Sequence, residues 1–510
     1  MYWADKVAKE IISSGNFRPY WVDDMKTPSG FAHIGSLRGP LIHSVIFQAL
    51  KDANQKAKFT FVFNDFDHAD ELPPEFKEKL IQYMGCPLRE IPSPVEGFGS
   101  LGAYLVNDLK ETLLKLGIEA DYLSSYDLYK AGKFDGVIRE ALDNSEKIQD
   151  IYEKVSGSKK RQQGWLPFQV VCEKCGKLGT TRVFAWDGKE VCYKCEPTMV
   201  TWAKGCGHEG KISPFRGTGK LPWKVDWPAH WKIIGVTIEG AGKDHASAGG
   251  SYDIAMEMVK DVFKYPQPYK YPYEFILIGG RKMSSSKGLG LKAHDIVKIL
   301  PPEVARFLFT RTNPKEQINF DPLGSMAIPD LFDEYDSCWQ AYIDGGNENL
   351  ARAFELAQIK DSPKKESINL PRFRDVANMI VQGKKDLPGK FEQKVLEERI
   401  KYAKIWLEKY APDDFNLSMS IGIPVEVKNL DEEQKKYLAA VINLVEKFDN
   451  ETELQGGVYS LAKELKVDIK KAFAAIYISF IGKDHGPRAG QFLLSYPKEK
   501  VINRLKEVSK

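Results

Sequence analysis

Apolar positions in the first 150 residues alternate between two periods. Residues 20–24 (Tyr-Trp-Val-Asp-Asp) predict a strand that ends in the turn residues Thr27, Pro28, Ser29 and Gly30. Over 37–54, Leu41, Ile42, Val45, Ile46 and Leu50 recur at helical spacing. The run Phe59-Thr60-Phe61-Val62-Phe63 has the unbroken apolar character of a strand buried in a parallel sheet. Over 101–116, Leu105, Leu109, Leu113 and Leu116 form one stripe of an amphipathic helix. Strand, glycine-bearing loop, helix and strand in succession predict an α/β, doubly wound sheet with ligands at the carboxyl ends of its strands.

That grammar breaks between 151 and 215, which reads as an insertion. Strand-like runs return at 231–238 and 273–278, with a helical stretch at 251–263 between them. Beyond about 348, charged amphipathic segments such as 391–410 and 432–448 dominate. After Lys287 the pattern becomes increasingly helical.

A chain of 510 residues is too long for one ordinary core. Its apolar fraction of 43% and charged fraction of 28% suit a soluble globular protein, and a formal charge of +3 neither demands nor excludes nucleic acid. No apolar run approaches the roughly 20 residues that span a bilayer, and the N-terminus lacks a secretory apolar stretch. These features predict a cytoplasmic protein with no membrane partner.

Two short motifs carry candidate chemistry. In Pro28-Ser29-Gly30-Phe31-Ala32-His33-Ile34-Gly35-Ser36, Gly30 would let the main chain turn without a Cβ penalty. Gly35 would let a purine lie against bare backbone, and the following helix start offers N–H groups to phosphate. His33 is placed to hydrogen-bond an α-phosphate as charge grows on it. In Lys282-Met283-Ser284-Ser285-Ser286-Lys287-Gly288, after the Gly279-Gly280 turn, lysines and small hydroxyls suit a clamp for a pyrophosphate leaving group. Either motif alone also fits an ordinary capping loop or a solvated serine loop. Together, each after a sheet strand, they point to activation at the α-phosphate of ATP.

The pair resembles the signatures of class I aminoacyl-tRNA synthetases. Longer runs resemble one branch, the class I lysyl-tRNA synthetases. They are Leu221-Pro222-Trp223-Lys224-Val225-Asp226-Trp227-Pro228, Gly242-Lys243-Asp244-His245, Gly249-Gly250-Ser251-Tyr252-Asp253 and Tyr271-Pro272-Tyr273-Glu274-Phe275. Ile328-Pro329-Asp330-Leu331, Asp333-Glu334-Tyr335-Asp336 and Gly482-Lys483-Asp484-His485-Gly486-Pro487-Arg488-Ala489-Gly490 extend the likeness nearly to the end. The resemblance implies a Rossmann-like nucleotidylyl-transferase catalytic domain over 1–295, interrupted by a zinc-ribbon insertion over 151–215, then a helical linker over 296–345 and an α-helical anticodon-binding domain over 346–510. It implies ATP with Mg²⁺, L-lysine and tRNA(Lys) as substrates, and a monomer is favoured. Other class I synthetases and a silent tRNA-binding paralogue are the alternatives.

Residue by residue, the resemblance gives His33, Ser36, Lys282 and Lys287 catalytic contacts, with ATP also touching Pro28, Ser29, Gly30, Gly35, Met283, Ser284, Ser285 and Ser286. Ser36 stands where the general signature has a second histidine, and Ser285 where it has a second lysine. Lys282 and Lys287 would then share the leaving group. A buried ammonium needs carboxylates or aromatic faces, and 223–273 is rich in both. Trp223 and His245 lead as lysine-site residues, with Tyr271 beside them. Asp244 or Asp226 would meet the charge. The run Gly240-Ala241-Gly242 is looser than the proline-phenylalanine expected there, which bears on pocket shape.

Four of seven cysteines form two C-x-x-C pairs, Cys172/Cys175 and Cys192/Cys195. Their spacing suits one tetrahedral, structural Zn²⁺, against unligated thiols or a redox pair. Cys206 and His208 are a further possible ligand pair.

Overall fold

The computed structural model describes all residues except 159–163, 283–290, 360–368, 383, 385, 413–414, 416–421 and 487. The chain forms two compact units, Met1–Asp321 with Glu334–Glu366, and Pro322–Asp333 with Ser367–Lys510. The stretch 296–345 expected as a linker is thus divided between them.

Thirteen short strands are described: β1 Tyr20–Lys26, β2 Ala57–Phe63, β3 Asp121–Ser124, β4 Gln169–Val170, β5 Thr181–Trp186, β6 Val191–Cys195 and β7 Glu209–Ile212. After them come β8 Gly219–Lys220, β9 Ile238–Gly242, β10 Tyr269–Tyr273, β11 Ile276–Ile278, β12 Arg281–Lys282 and β13 Ile318–Asn319. The first unit is built on a five-stranded sheet of order β10-β9-β1-β2-β3, parallel throughout. The chain runs outward from β1 to β3, then returns to the other side of β1 with β9 and β10. Strand order therefore reverses between β1 and β9, where such sheets open a crevice for ligands.

The helix after β1, Arg38–Asp52, is buried on nearly every side, Arg38, His43 and Ser44 included. Arg38 donates to the carbonyls of Phe309, Asn313 and Glu316, and Arg306 donates to those of Leu356 and Leu116 and to the Ser44 hydroxyl. These buried guanidiniums lock the helix start to the region after the second motif. Satisfied carbonyls offset the cost of burying the charges.

The strand expected over 231–238 is instead the end of helix Trp223–Ile234, and β9 begins only at Ile238. Trp and Ile favour strands, but tertiary packing overrides that preference. The Trp231 ring packs on Trp227 and Tyr252, and its indole N–H donates to Glu239. Gly235, at φ +96°, ends the helix in the left-handed conformation. The run 273–278 also divides: Tyr273 closes β10, and β11 belongs to a separate sheet of order β12-β11-β13. Gly279 and Gly280 both have positive φ in the β11–β12 hairpin, as the glycine pair predicts.

Gly240 explains part of the loose Gly-Ala-Gly run. A Cβ there would lie 2.3 Å from the Tyr271 ring, so the aromatic side chain crosses bare backbone. Gly240→Ala is expected to destabilise the protein by about 1–3 kcal/mol through overpacking, readable as a lowered melting temperature.

The insertion does not form a core of its own. Phe168, Val170, Val183, Val191 and Tyr193 share one buried cluster with Phe134, Ile138, Ile148, Val225 and Ile254. Strands β5, β6 and β7 form an antiparallel sheet there. The second unit is helical among the described residues. Helices Gln393–Lys409 and Glu432–Lys447 match the expected amphipathic segments, and Asp431 with Gln434 makes a capping box. Tyr437, Val441, Val458, Ile476, Phe480 and Leu505 fill its core.

Candidate active site

A cavity of about 820 Å³ opens at the carboxyl ends of β1 and β9, at the strand-order reversal. Its floor includes Asp24 to Thr27 of the first strand and turn, and Glu239 to Gly242. Asp67 and His68 follow β2, and Lys220, Trp223, Asp226 and Trp227 precede β9. Residues of the insertion, among them Gln169, Thr181, Arg182 and Phe184, complete the wall. The insertion is therefore part of the site.

Three aromatic rings gather at one side. His245 lies 5.7 Å from Trp223 and 6.0 Å from Trp227, edge-on to both. Trp223 stays half in solvent at 46% exposure, with the Lys224 ammonium 5.5 Å from its ring centroid.

The expected carboxylates fare differently. Asp226 is buried, but Lys220 lies 3.1 Å from it and also pairs with Asp67. The Tyr129 hydroxyl donates to Asp226 as well. Burial works against the Lys220 charge, yet Asp226 and Asp67 outweigh it and hold the ammonium proton above the ordinary lysine range. Asp226 therefore has its cation within the chain. Asp244 is exposed and is not in the cavity lining; its carboxylate stands over Gly242, where a Cβ would meet it at 2.9 Å. Tyr271 is buried against Gly240 and 5.3 Å from the His43 ring, behind the cavity, and Tyr273 reaches the lining in its place.

Two acids that the sequence did not single out stand on the floor. Glu239 is 1% exposed and accepts the indole N–H groups of Trp227 and Trp231. Burial pushes its carboxyl up to about 8, partly offset by those indoles. Asp24 is 7% exposed, and its Oδ2 has no hydrogen-bond partner among the described residues. His43 Nδ1 is 3.3 Å from that oxygen, but lies closer to the Gly39 carbonyl at 2.7 Å. Burial works against a proton on His43 and the nearby acids outweigh it, yet Nε2 accepts the Gly240 N–H and so must be unprotonated. The geometry makes this imidazole neutral. It supplies no countercharge to Asp24 or Glu239.

Ser29 lines the cavity, while Pro28 is buried outside the lining. Gly30 does not have positive φ, and a Cβ on it would meet no atom within 4 Å, so the chain's own packing does not require glycine there. His33 caps the short turn Ile34–Leu37, which contains Gly35 and Ser36. The Ser36 Oγ is buried and has no hydrogen-bond partner among the described residues.

The second motif is anchored at both ends. Lys282 is the last residue of β12, held in the hairpin. Just after the motif, Lys292 forms an antiparallel bridge with His33, and the Leu291 carbonyl accepts the Ile34 N–H at 2.9 Å. The Ala293 N–H donates to the Ala32 carbonyl. The first motif is thus stitched to the chain that leaves the second. Met283, Ser284, Ser285, Ser286 and Lys287 lie outside the described residues, as does the Lys282 side chain.

The cysteine set differs from expectation by one member. Cys172, Cys175, Cys195 and Cys206 bring their sulfurs within 4.8 Å of one another. Two pairs lie at 3.6 and 3.7 Å, near the ~3.8 Å edge of a tetrahedron with zinc–sulfur bonds of about 2.3 Å. Cys192 is not in the group. It lies three residues before Cys195 on β6, and in a strand that spacing puts the two side chains on opposite faces. If this group holds one metal ion, Cys206→Ser is expected to lower the metal content found by elemental analysis and Cys192→Ser to leave it unchanged.

A family model described as tRNA synthetases class I (K) matches residues 1–360, and one described as an anticodon binding domain matches 394–509. The lysine–tRNA ligase of Archaeoglobus fulgidus is 33% identical over 99% of this chain and 99% of its own length. That of Methanocaldococcus jannaschii is 34% identical, again over 99% of each. Among solved structures, a glutamate tRNA ligase from Elizabethkingia meningosepticum covers 96% of this chain and 99% of its own at 12% identity and a TM-score of 0.41, too remote to carry an argument. With family models covering both the ATP-activating half and the helical C-terminus, and full-length relatives above 30% identity, the chain belongs to the class I lysyl-tRNA synthetases.

Proposed function

We propose that this protein is a lysine–tRNA ligase. A carboxylate oxygen of L-lysine attacks the α-phosphorus of ATP; the new O–P bond forms as the α–β bridge breaks, and pyrophosphate leaves. The terminal ribose hydroxyl of tRNA(Lys) then attacks the lysyl carbonyl, releasing AMP. The acid floor carries this reading for lysine: two buried carboxylates, Asp24 and Glu239, face the cavity, and although Lys26 in the same lining is attracted to Asp24, no ion pair of either acid with a lysine or arginine is found within 4 Å among the described contacts.

The ε-ammonium of the substrate docks at that floor, and Asp226 instead orders the wall through Lys220. Trp223, Trp227 and His245 pack along the methylenes. His33 donates to the α-phosphate, Ser36 supports the same turn and Gly35 lies under the purine. Lys282 and Lys287 meet the pyrophosphate, whose Mg²⁺ enters with ATP. Most of the acceleration comes from positioning and charge stabilisation.

Four thiols at tetrahedral spacing fit Zn²⁺, which would cross-link the insertion rather than take part in chemistry. The insertion adjoins the tRNA acceptor end, and the helical unit reads the anticodon. No helix among the described residues is long and apolar enough to cross a membrane, and the enzyme works as a cytoplasmic monomer. Charging of tRNA(Lys) with labelled lysine tests the reading. Acid-stable, ATP-dependent transfer of lysine supports it, and no transfer by a folded, ATP-binding protein defeats it.

A further inference from the structure

We propose that the four-cysteine cluster shapes the amino-acid cavity through Trp202, so that metal occupancy sets the affinity for the amino acid. The inference rests on the reading of the cavity as the lysine site. Cys195 and Cys206, two members of the sulfur group, are the ends of one loop. Bonding both to one metal would fix that loop's closure. Its neck is already tight: the Gly207 N–H donates to the Cys195 carbonyl at 2.9 Å, and a Cβ on Gly205 would lie 2.3 Å from the Glu196 carbonyl oxygen.

The loop carries Met199 into the cavity lining and lays Trp202 against a second lining residue, His68. The two rings are stacked, with centroids 5.2 Å apart and an interplanar angle of 9°. Gly179 makes room for the stack, because a Cβ there would lie 2.5 Å from Trp202 and 2.9 Å from His68. Trp202 and Ala203 also pack on the cluster formed by Ala69, Leu72, Met84 and Leu88.

His68 is next to Asp67, and from Asp67 the linkage enters the site. Asp67 accepts the Thr27 hydroxyl at 2.5 Å and pairs with Lys220, which in turn holds Asp226. Thr27 belongs to the turn that opens the first motif. A rigid path of packed and hydrogen-bonded groups therefore runs from the cysteines to the cavity wall. Trp202 touches no reacting group, so it is a positioning residue.

The test compares the metal-loaded protein, the chelator-stripped protein, Trp202→Ala and Trp202→Phe. Lysine affinity is measured by calorimetry, lysine KM and kcat by pyrophosphate exchange, and metal by elemental analysis. The His68 imidazole resonance, assigned by its loss in His68→Gln, reports the stack directly through the upfield ring-current shift of the indole. Stripping the metal is expected to weaken lysine binding about tenfold and to abolish the His68 upfield shift. Trp202→Ala should do both while keeping its metal, raising KM with kcat within about twofold, and Trp202→Phe should restore most of each. The proposal falls if the stripped protein keeps the His68 shift, or if Trp202→Ala loses the shift yet binds lysine as tightly as the parent. If Trp202→Ala melts early, the stripped wild-type chain still decides the issue through its His68 resonance. A parent protein that shows metal-dependent His68 shifts but binds no lysine would defeat the lysine reading and leave the loop coupling standing.

Discussion

Glu239→Gln is expected to raise the lysine KM by two to three orders of magnitude while leaving the ATP KM within about twofold. Glutamine keeps the size of the side chain but only one of the two oxygens that separately accept the Trp227 and Trp231 indoles, so a melting curve taken beside the KM registers the lost hydrogen bond. Glutamine also loses the charge that answers the substrate ammonium. Removing one member of a buried, hydrogen-bonded charge pair costs about 2–5 kcal/mol, or roughly 30-fold to several thousand-fold in affinity.

The same residue gives the site a pH signature. Burial, the largest influence, pushes the Glu239 carboxyl up to about 8 in the free protein, so at neutral pH it holds a proton. An arriving ammonium requires the carboxylate, and binding must release that proton. Lysine affinity should therefore rise with pH below about 8, by up to roughly tenfold per unit, and level off above it. Measured as KM between pH 6.5 and 8.5, this slope should vanish in Glu239→Gln. An unchanged lysine KM in that variant would return the ammonium to another residue.

His33→Ala is expected to lower kcat for adenylate formation by about 10²–10³ with lysine affinity unchanged, the scale of losing one aimed donor to a developing anion. The backbone bridge from His33 to Lys292 holds the cap without the imidazole, so the turn should survive. Single-turnover formation of lysyl-adenylate measures the effect. A loss confined to KM would make His33 a ground-state contact only.

The period of the apolar residues made much of the first unit legible. Strand β1 follows from a short run closed by turn residues, β2 from an unbroken apolar run, the helix at Arg38–Asp52 from its apolar stripe and the Gly279-Gly280 turn from the glycine pair. Trp231 misled because its indole belongs to a helix buried against Tyr252, a long-range packing fact that local propensity cannot carry. Cys192 misled because a C-x-x-C pair suggests a knuckle. The alternation Val191, Tyr193, Cys195 was the available sign that this pair lies on a strand, with Cys192 facing the other way.

The charge partner shows the same limit more sharply. Asp226 was visible in a recognisable run, but its neutraliser Lys220 is itself fixed by Asp67, far away in sequence. Glu239 sits between an isoleucine and a glycine, and only the parallel sheet reveals that it is buried at the strand-order reversal beside Asp24. Motif residues were legible because they stand together in short runs, although the fold itself does not require Gly30. The acid floor was not, because it exists only once three distant segments meet.

Amino-acid-dependent ATP–pyrophosphate exchange, run for all twenty amino acids with tRNA(Lys) present, tests the central claim most directly. Exchange with lysine well above every other amino acid is the predicted result. Exchange driven by a different amino acid, or by none while ATP still binds, would contradict it.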